Sequence, residues 1–128
     1  MTQQGDNPAP EPISFDTASA VEGGDRRYVA QVHPSWDGPL TTHGGLLAAI
    51  ALNAVSAEID PTSAMTPLSL TAHYLRPPTH GRIEIFVDPL RRGRRFASTR
   101  ASDRRALSPS QSDGSVCSAS ASASGSTA

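Results

Sequence analysis

Residues 42–59 read THGGLLAAIALNAVSAEI, and this stretch decides how the rest of the chain must fold. On a helix opened at Gly44, the side chains of Leu46, Leu47, Ala49, Ile50, Leu52, Ala54 and Val55 cover most of the circumference. A helix apolar on nearly all sides needs cover on nearly all sides. The run is shorter than the ~20 residues that cross a bilayer. Protein must therefore supply the cover. Thr41 or Thr42 offers a side-chain oxygen to cap the helix start, and Asp60-Pro61 ends it.

The segments on either side read as strands. A short element lies near Ile13 to Phe15, and Gly23-Gly24-Asp25 is a turn signal. Arg26 to His33 alternates, with Tyr28, Ala30 and Val32 on one face, and Pro34 stops it. After the helix, Leu68, Leu70, Ala72 and Tyr74 share one face of a strand, which places Tyr74 in the core and His73 on the opposite side. Gly81 turns the chain into a strand with Ile83, Ile85 and Val87 inward. Arg91-Arg92-Gly93 reads as a hairpin turn, and the last defensible strand runs from Arg94 to about Arg100. Two strands, a buried helix and an antiparallel meander predict an α+β domain, with a curved sheet wrapped round one central helix.

Composition sets the bounds. The chain has 128 residues, enough for one small domain. Its net charge of -1 argues against general nucleic-acid binding. No segment reads as a membrane span or a secretory signal, so the expected compartment is the cytoplasm. Cys117 is the single cysteine, which excludes an internal disulfide framework. The four histidines, His33, His43, His73 and His80, show no metal-ligand spacing, and no metal or cofactor is expected. Residues 1–12 read as a disordered leader and 13–101 as the domain. Residues 102–128 read as a low-complexity tail, since ten of the 27 are Ser. All eleven basic residues are Arg, the mark of GC-rich coding. A shifted or truncated reading frame in such a gene would yield a Ser/Ala/Arg tail of this kind.

The order of elements, and four strings, resemble the hotdog superfamily, and within it the N-terminal half of acyl-CoA thioesterase II-type proteins. The strings are Trp36 with Thr42-His43-Gly44-Gly45, the strand Leu68 to Pro77, the strand Ile83 to Val87, and the basic hairpin Leu90 to Phe96. The resemblance spans roughly Phe15 to Arg100. It implies a single, incomplete hotdog unit and hydrolysis of an acyl-CoA thioester to free acid and CoA. It also implies a homodimer, or pairing with a second hotdog unit, because such relatives fuse two units in one chain. The catalytic Asp, Thr and Gln of the thioesterase II type belong to the second unit and have no counterpart here. Single-unit relatives carry a carboxylate nine residues after the His, and that position is Leu52. The other reading is therefore a non-catalytic hotdog fragment that binds acyl-CoA or a partner, or the remnant of a broken two-unit thioesterase.

The candidate site residues follow. Free N–H groups at a helix start suit a thioester carbonyl, and two glycines let a ligand approach the backbone closely. Gly44 and Gly45 are thus candidate carbonyl donors, and His43 is a positioning or weak catalytic candidate. The same residues also suit a tightly packed helix start. Arg92 and Arg94, in the basic hairpin, either meet CoA phosphates or form a solvated tip. Asn53 reads as a polar contact to a neighbouring strand or a point on the exposed edge of the helix, and Glu58 as a solvated helix end. Cys117, in the tail, has no fixed base to make it a nucleophile.

Overall fold

The computed structural model describes residues 11–38, 43–59, 65–75, 80–93, 96–105 and 115–125. The leader over residues 1–10, the caps Thr41 and Thr42, the Asp60-Pro61 stop and Arg94 lie outside them. The elements are α1 (Phe15–Ala18), β1 (Glu22–Gly24), β2 (Arg27–Val32), α2 (Gly44–Ile59), β3 (Met65–Tyr74), β4 (Gly81–Arg92), β5 (Phe96–Arg105) and β6 (Ser115–Gly125). The strands form one six-stranded antiparallel sheet in the order β1-β2-β4-β5-β6-β3, curved around α2. This is the expected α+β hotdog unit.

The core lies between α2 and the inner face of the sheet. Leu46, Leu47, Ile50, Ala51, Ala54, Val55 and Ile59 are buried from the helix. They meet Tyr28, Ala30 and Val32 of β2, Ile83, Ile85 and Val87 of β4, and Ala97 and Ala101 of β5. The period-two pattern of β2 and β4 is therefore an inward/outward pattern, as expected. Thr99 shares the inner face of β5, and its hydroxyl is buried without a hydrogen-bond partner among the described residues. A valine there keeps the shape and removes the stranded hydroxyl. Thr99→Val should raise the unfolding free energy in urea by about 1–2 kcal/mol.

Three features differ from the sequence expectation. The first is the C-terminal region, read as a tail without structure from residue 102. β5 continues past Arg100 to Arg105, and residues 115–125 form β6, an interior strand paired with β5 on one side and β3 on the other. Its signal is strict alternation. Cys117, Ala119, Ala121 and Ala123 face the core, while Ser118, Ser120, Ser122 and Ser124 face away. Cys117 is fully buried there, not tail-exposed. Alanines fill little space, and a cavity of about 120 Å³ remains between Leu52, Val55 and Ile59 of α2 and Met65, Ala121 and Ala123 of the sheet.

The second difference concerns β3. Its register shifts between Pro67 and Ser69, so Leu68 bulges and is 57% exposed instead of facing the core. Proline cannot donate to a ladder, and a bulge is where a strand tolerates it. The same shift occurs in β4 between Pro89 and Arg91, leaving Leu90 exposed. Tyr74, at the end of the edge strand β3, is 52% exposed and not core; it lies over the start of the helix, with its hydroxyl on the Gly44 carbonyl.

The third is the β1–β2 turn, one residue later than expected. Asp25 and Arg26 both adopt positive φ, +53° and +69°. That is the two-residue hairpin geometry usually given to Asn-Gly. Glu58, near the end of α2, offsets the strain: its Oε1 accepts the Arg26 N–H at 2.7 Å and the Tyr28 hydroxyl at 3.1 Å. Burial, then the hydrogen bond and charge of Glu58, push the Tyr28 phenol up to about 12. The folded value lies above the ordinary 10, so its contribution is complete below pH 10 and is lost as pH rises towards 12. The urea midpoint should fall between pH 10 and 11.5, and Tyr28→Phe should flatten that fall.

Candidate active site

One end of the sheet gathers the chain's chemistry. The end of β2 pairs with the start of β4 through Val32 and Gly81. The end of β3 pairs with the start of β6 through Tyr74 and Cys117. The start of α2 lies between them, tied to the β2 side by the His43 N–H, which donates to the Trp36 carbonyl at 2.9 Å. It is tied to the β3 side by the Tyr74 hydroxyl, which donates to the Gly44 carbonyl at 2.7 Å. His33, His43, His73 and His80 all fall at this end.

Among the described residues, His43 supplies capping contacts at the helix start. Its Nδ1 accepts the Gly45 N–H at 3.1 Å, and its carbonyl accepts the Leu46 N–H at 3.1 Å. The Gly45 amide is therefore engaged by the His43 ring and becomes available only if that ring swings away. The Gly44 N–H has no partner among the described residues. A Cβ at Gly44 would lie 3.2–3.4 Å from the Tyr74 ring, and one at Gly45 would lie 3.0–3.1 Å from the His43 ring. Both glycines are needed for close approach: one lets Tyr74 lie over the helix start, the other lets His43 fold back. His43, Gly44 and Gly45 thus stand together, with Tyr74 as a neighbour that the sequence assigned to the core.

Arg92 stands apart from them. β4 runs through it, and its Nη2 donates to the carbonyl of Ile59 at 2.6 Å. It caps the C-terminal end of α2, where a cation suits the exposed carbonyls. That end is about 22 Å from Gly44 along a helix of this length. Asn53 donates to the Ser19 carbonyl at 2.8 Å and holds the N-terminal segment against the helix. Glu58 is engaged at the turn described above. Asn53 makes a polar contact, as its sequence reading allowed, whereas Glu58 is not a solvated helix end: two donors from the β1–β2 turn hold its carboxylate.

One pair escaped the sequence. His80 Nε2 lies 2.8 and 2.9 Å from the two carboxylate oxygens of Asp37, next to Trp36. The partners are 43 residues apart, and no local pattern links them. His33 Nδ1 is engaged by the Ser35 N–H at 3.1 Å and the Ser35 hydroxyl at 2.8 Å. Among the described residues, no three His, Cys, Asp or Glu side chains come together to hold a metal ion. No helix among them is long and apolar enough to cross a membrane.

The sequence model of one family, the acyl-CoA thioesterase N-terminal domain, matches residues 32–124. No curated protein matches the chain. Among solved structures, a Thermobifida fusca protein described as a thioesterase II is 22% identical, with a TM-score of 0.73 over 90% of this chain and 41% of its own. The tesB protein of Mycobacterium avium subspecies paratuberculosis is 26% identical, with a TM-score of 0.69 over 86% of this chain and 41% of its own. A Bacillus halodurans protein solved with CoA is 13% identical, with a TM-score of 0.70 over 88% of this chain and 76% of its own. The chain spans about two fifths of the first two proteins. The low identities establish a common fold.

Proposed function

We propose that this chain, which belongs to the acyl-CoA thioesterase N-terminal domain family, binds acyl-CoA thioesters at the start of α2 and hydrolyses them to free acid and CoA. The observation that carries this reading is the helix start itself, where Gly44 and Gly45 open a buried helix beside Tyr74 and His43. A helix start is where backbone N–H groups favour a developing negative charge. The thioester carbonyl sits on Gly44, and Gly45 joins it when His43 turns outward. The reaction takes place in the cytoplasm.

The working form is a pair of hotdog units. β3 is an edge strand that carries exposed Leu68 and Tyr74, with exposed Leu75 just beyond it. An unpaired edge with apolar side chains invites a second strand. A copy of this chain, joined β3 to β3, completes the sheet and closes the groove beside Tyr74. One observation favours a second reading, a non-catalytic acyl-CoA binder. Leu52 is apolar, and the one carboxylate on α2, Glu58, is engaged at its far end.

Thiol release from acyl-CoAs of short, medium and long chain tests the choice. The expected result is CoA release above the spontaneous rate with at least one chain length. Tight binding of acyl-CoA without release supports the binder. Neither binding nor release removes both readings.

A further inference from the structure

Thioester hydrolysis needs a base for the attacking water, and α2 offers no carboxylate near its start. From the juxtaposition of His80 and Asp37 beside the first turn of α2, we infer that His80 is the general base of this chain and Asp37 its positioning residue. The inference rests on the thioesterase reading above.

The geometry favours His80 over His43 and His33. His43 Nδ1 accepts the Gly45 amide, and His33 Nδ1 accepts the Ser35 amide. Each spends its basic lone pair on capping. His80 instead has a carboxylate against Nε2, at 2.8 and 2.9 Å. A carboxylate fixes the tautomer with the proton on Nε2 and leaves Nδ1 as the basic nitrogen. The side chains are 49% and 36% exposed, so water reaches them.

The backbone places the pair close to the carbonyl site. Asp37 follows Trp36, whose carbonyl accepts the His43 N–H at 2.9 Å. Standard bond lengths then put the Asp37 carboxylate within about 10 Å of the His43 nitrogen. That bound leaves room for a thioester carbonyl on the Gly44 amide and one water between them. In the reaction, Nδ1 of His80 takes a proton from water as the water oxygen bonds the thioester carbonyl carbon. The C–S bond then breaks, and the CoA sulfur leaves with the proton from Nδ1. Water and thioester are consumed, acid and thiol are formed, and the imidazole returns to its neutral state.

The test is steady-state thiol release by the full chain and its variants, each checked for a wild-type melt. His80→Gln should lower kcat by about 10²-fold or more with KM little changed. Asp37→Asn should lower kcat by about 10-fold or more, again with KM little changed. Added imidazole should restore part of the activity of His80→Ala. Glu22→Gln, an exposed change on β1, should leave the rate unaltered. Active wild type with His80→Gln at more than half its kcat overturns this inference and leaves the thioesterase reading standing. Wild type inactive on every chain length overturns both.

Discussion

A chain ending at Arg105 should not fold. β6 is the one strand that joins β3 to the rest of the sheet, and it supplies the inner face against the second half of α2. Without it, β5 and β3 each lose a row of backbone partners. Leu52, Val55 and Ile59 lose Ala121 and Ala123, and Tyr74 no longer has a strand to hold it over Gly44. Small domains are stable by only about 5–15 kcal/mol, and a whole interior strand exceeds that margin. Circular dichroism should show no cooperative melt, and gel filtration should show an expanded or aggregated chain. Composition alone predicts the opposite, since a Ser/Ala tail should be dispensable. A truncated chain with the wild-type melt would return residues 115–125 to that status.

Gly44→Val should abolish acyl-CoA turnover with little effect on stability. The added Cβ meets the Tyr74 ring at 3.2–3.4 Å, and the branched methyls extend further. Tyr74 must move, its bond to the Gly44 carbonyl breaks, and the side chain covers the Gly44 amide. Loss of one such donor costs about 10²–10³-fold in rate. The exposed hydroxyl contact is worth about 1 kcal/mol, so the melt shifts by only a few degrees. Tyr74→Phe separates the two effects: it loses the hydroxyl contact and keeps the amide open. A Gly44→Val enzyme with unchanged kcat and KM would remove the amide from the mechanism.

The legible parts of this fold were those with large side chains in strong period. α2 is apolar nearly all round, and β2 and β4 carry Tyr28, Val32, Ile83, Ile85 and Val87 on one face. Their placement follows from burial alone. β6 uses the same period with Cys and Ala, so its core face carries little apolar weight and its Ser face resembles a linker. The prolines at 67 and 89 marked irregular points in their strands, but the bulges they permit, and the turning out of Leu68 and Leu90, depend on the neighbouring strand. At the site, the helix start was legible because glycine and histidine at a helix boundary have a local physical meaning. Arg92 was grouped with the hairpin by sequence, yet a long side chain on a strand running past the helix end finds the Ile59 carbonyl. Asp37 and His80 meet through topology, where the end of β2 and the start of β4 come together, so no spacing rule could pair them.

In the proposed function the thioester carbonyl rests on the first turn of α2. An amide NMR titration with a non-hydrolysable thioether analogue of an acyl-CoA tests it without requiring turnover. The predicted result is a saturable shift largest at Gly44, with Gly45 and Tyr74 next. A smaller response is expected at Ile59 and Arg92, at the far end. Saturable binding with its largest shifts away from His43-Gly44-Gly45, or no shift there at saturation, would contradict it.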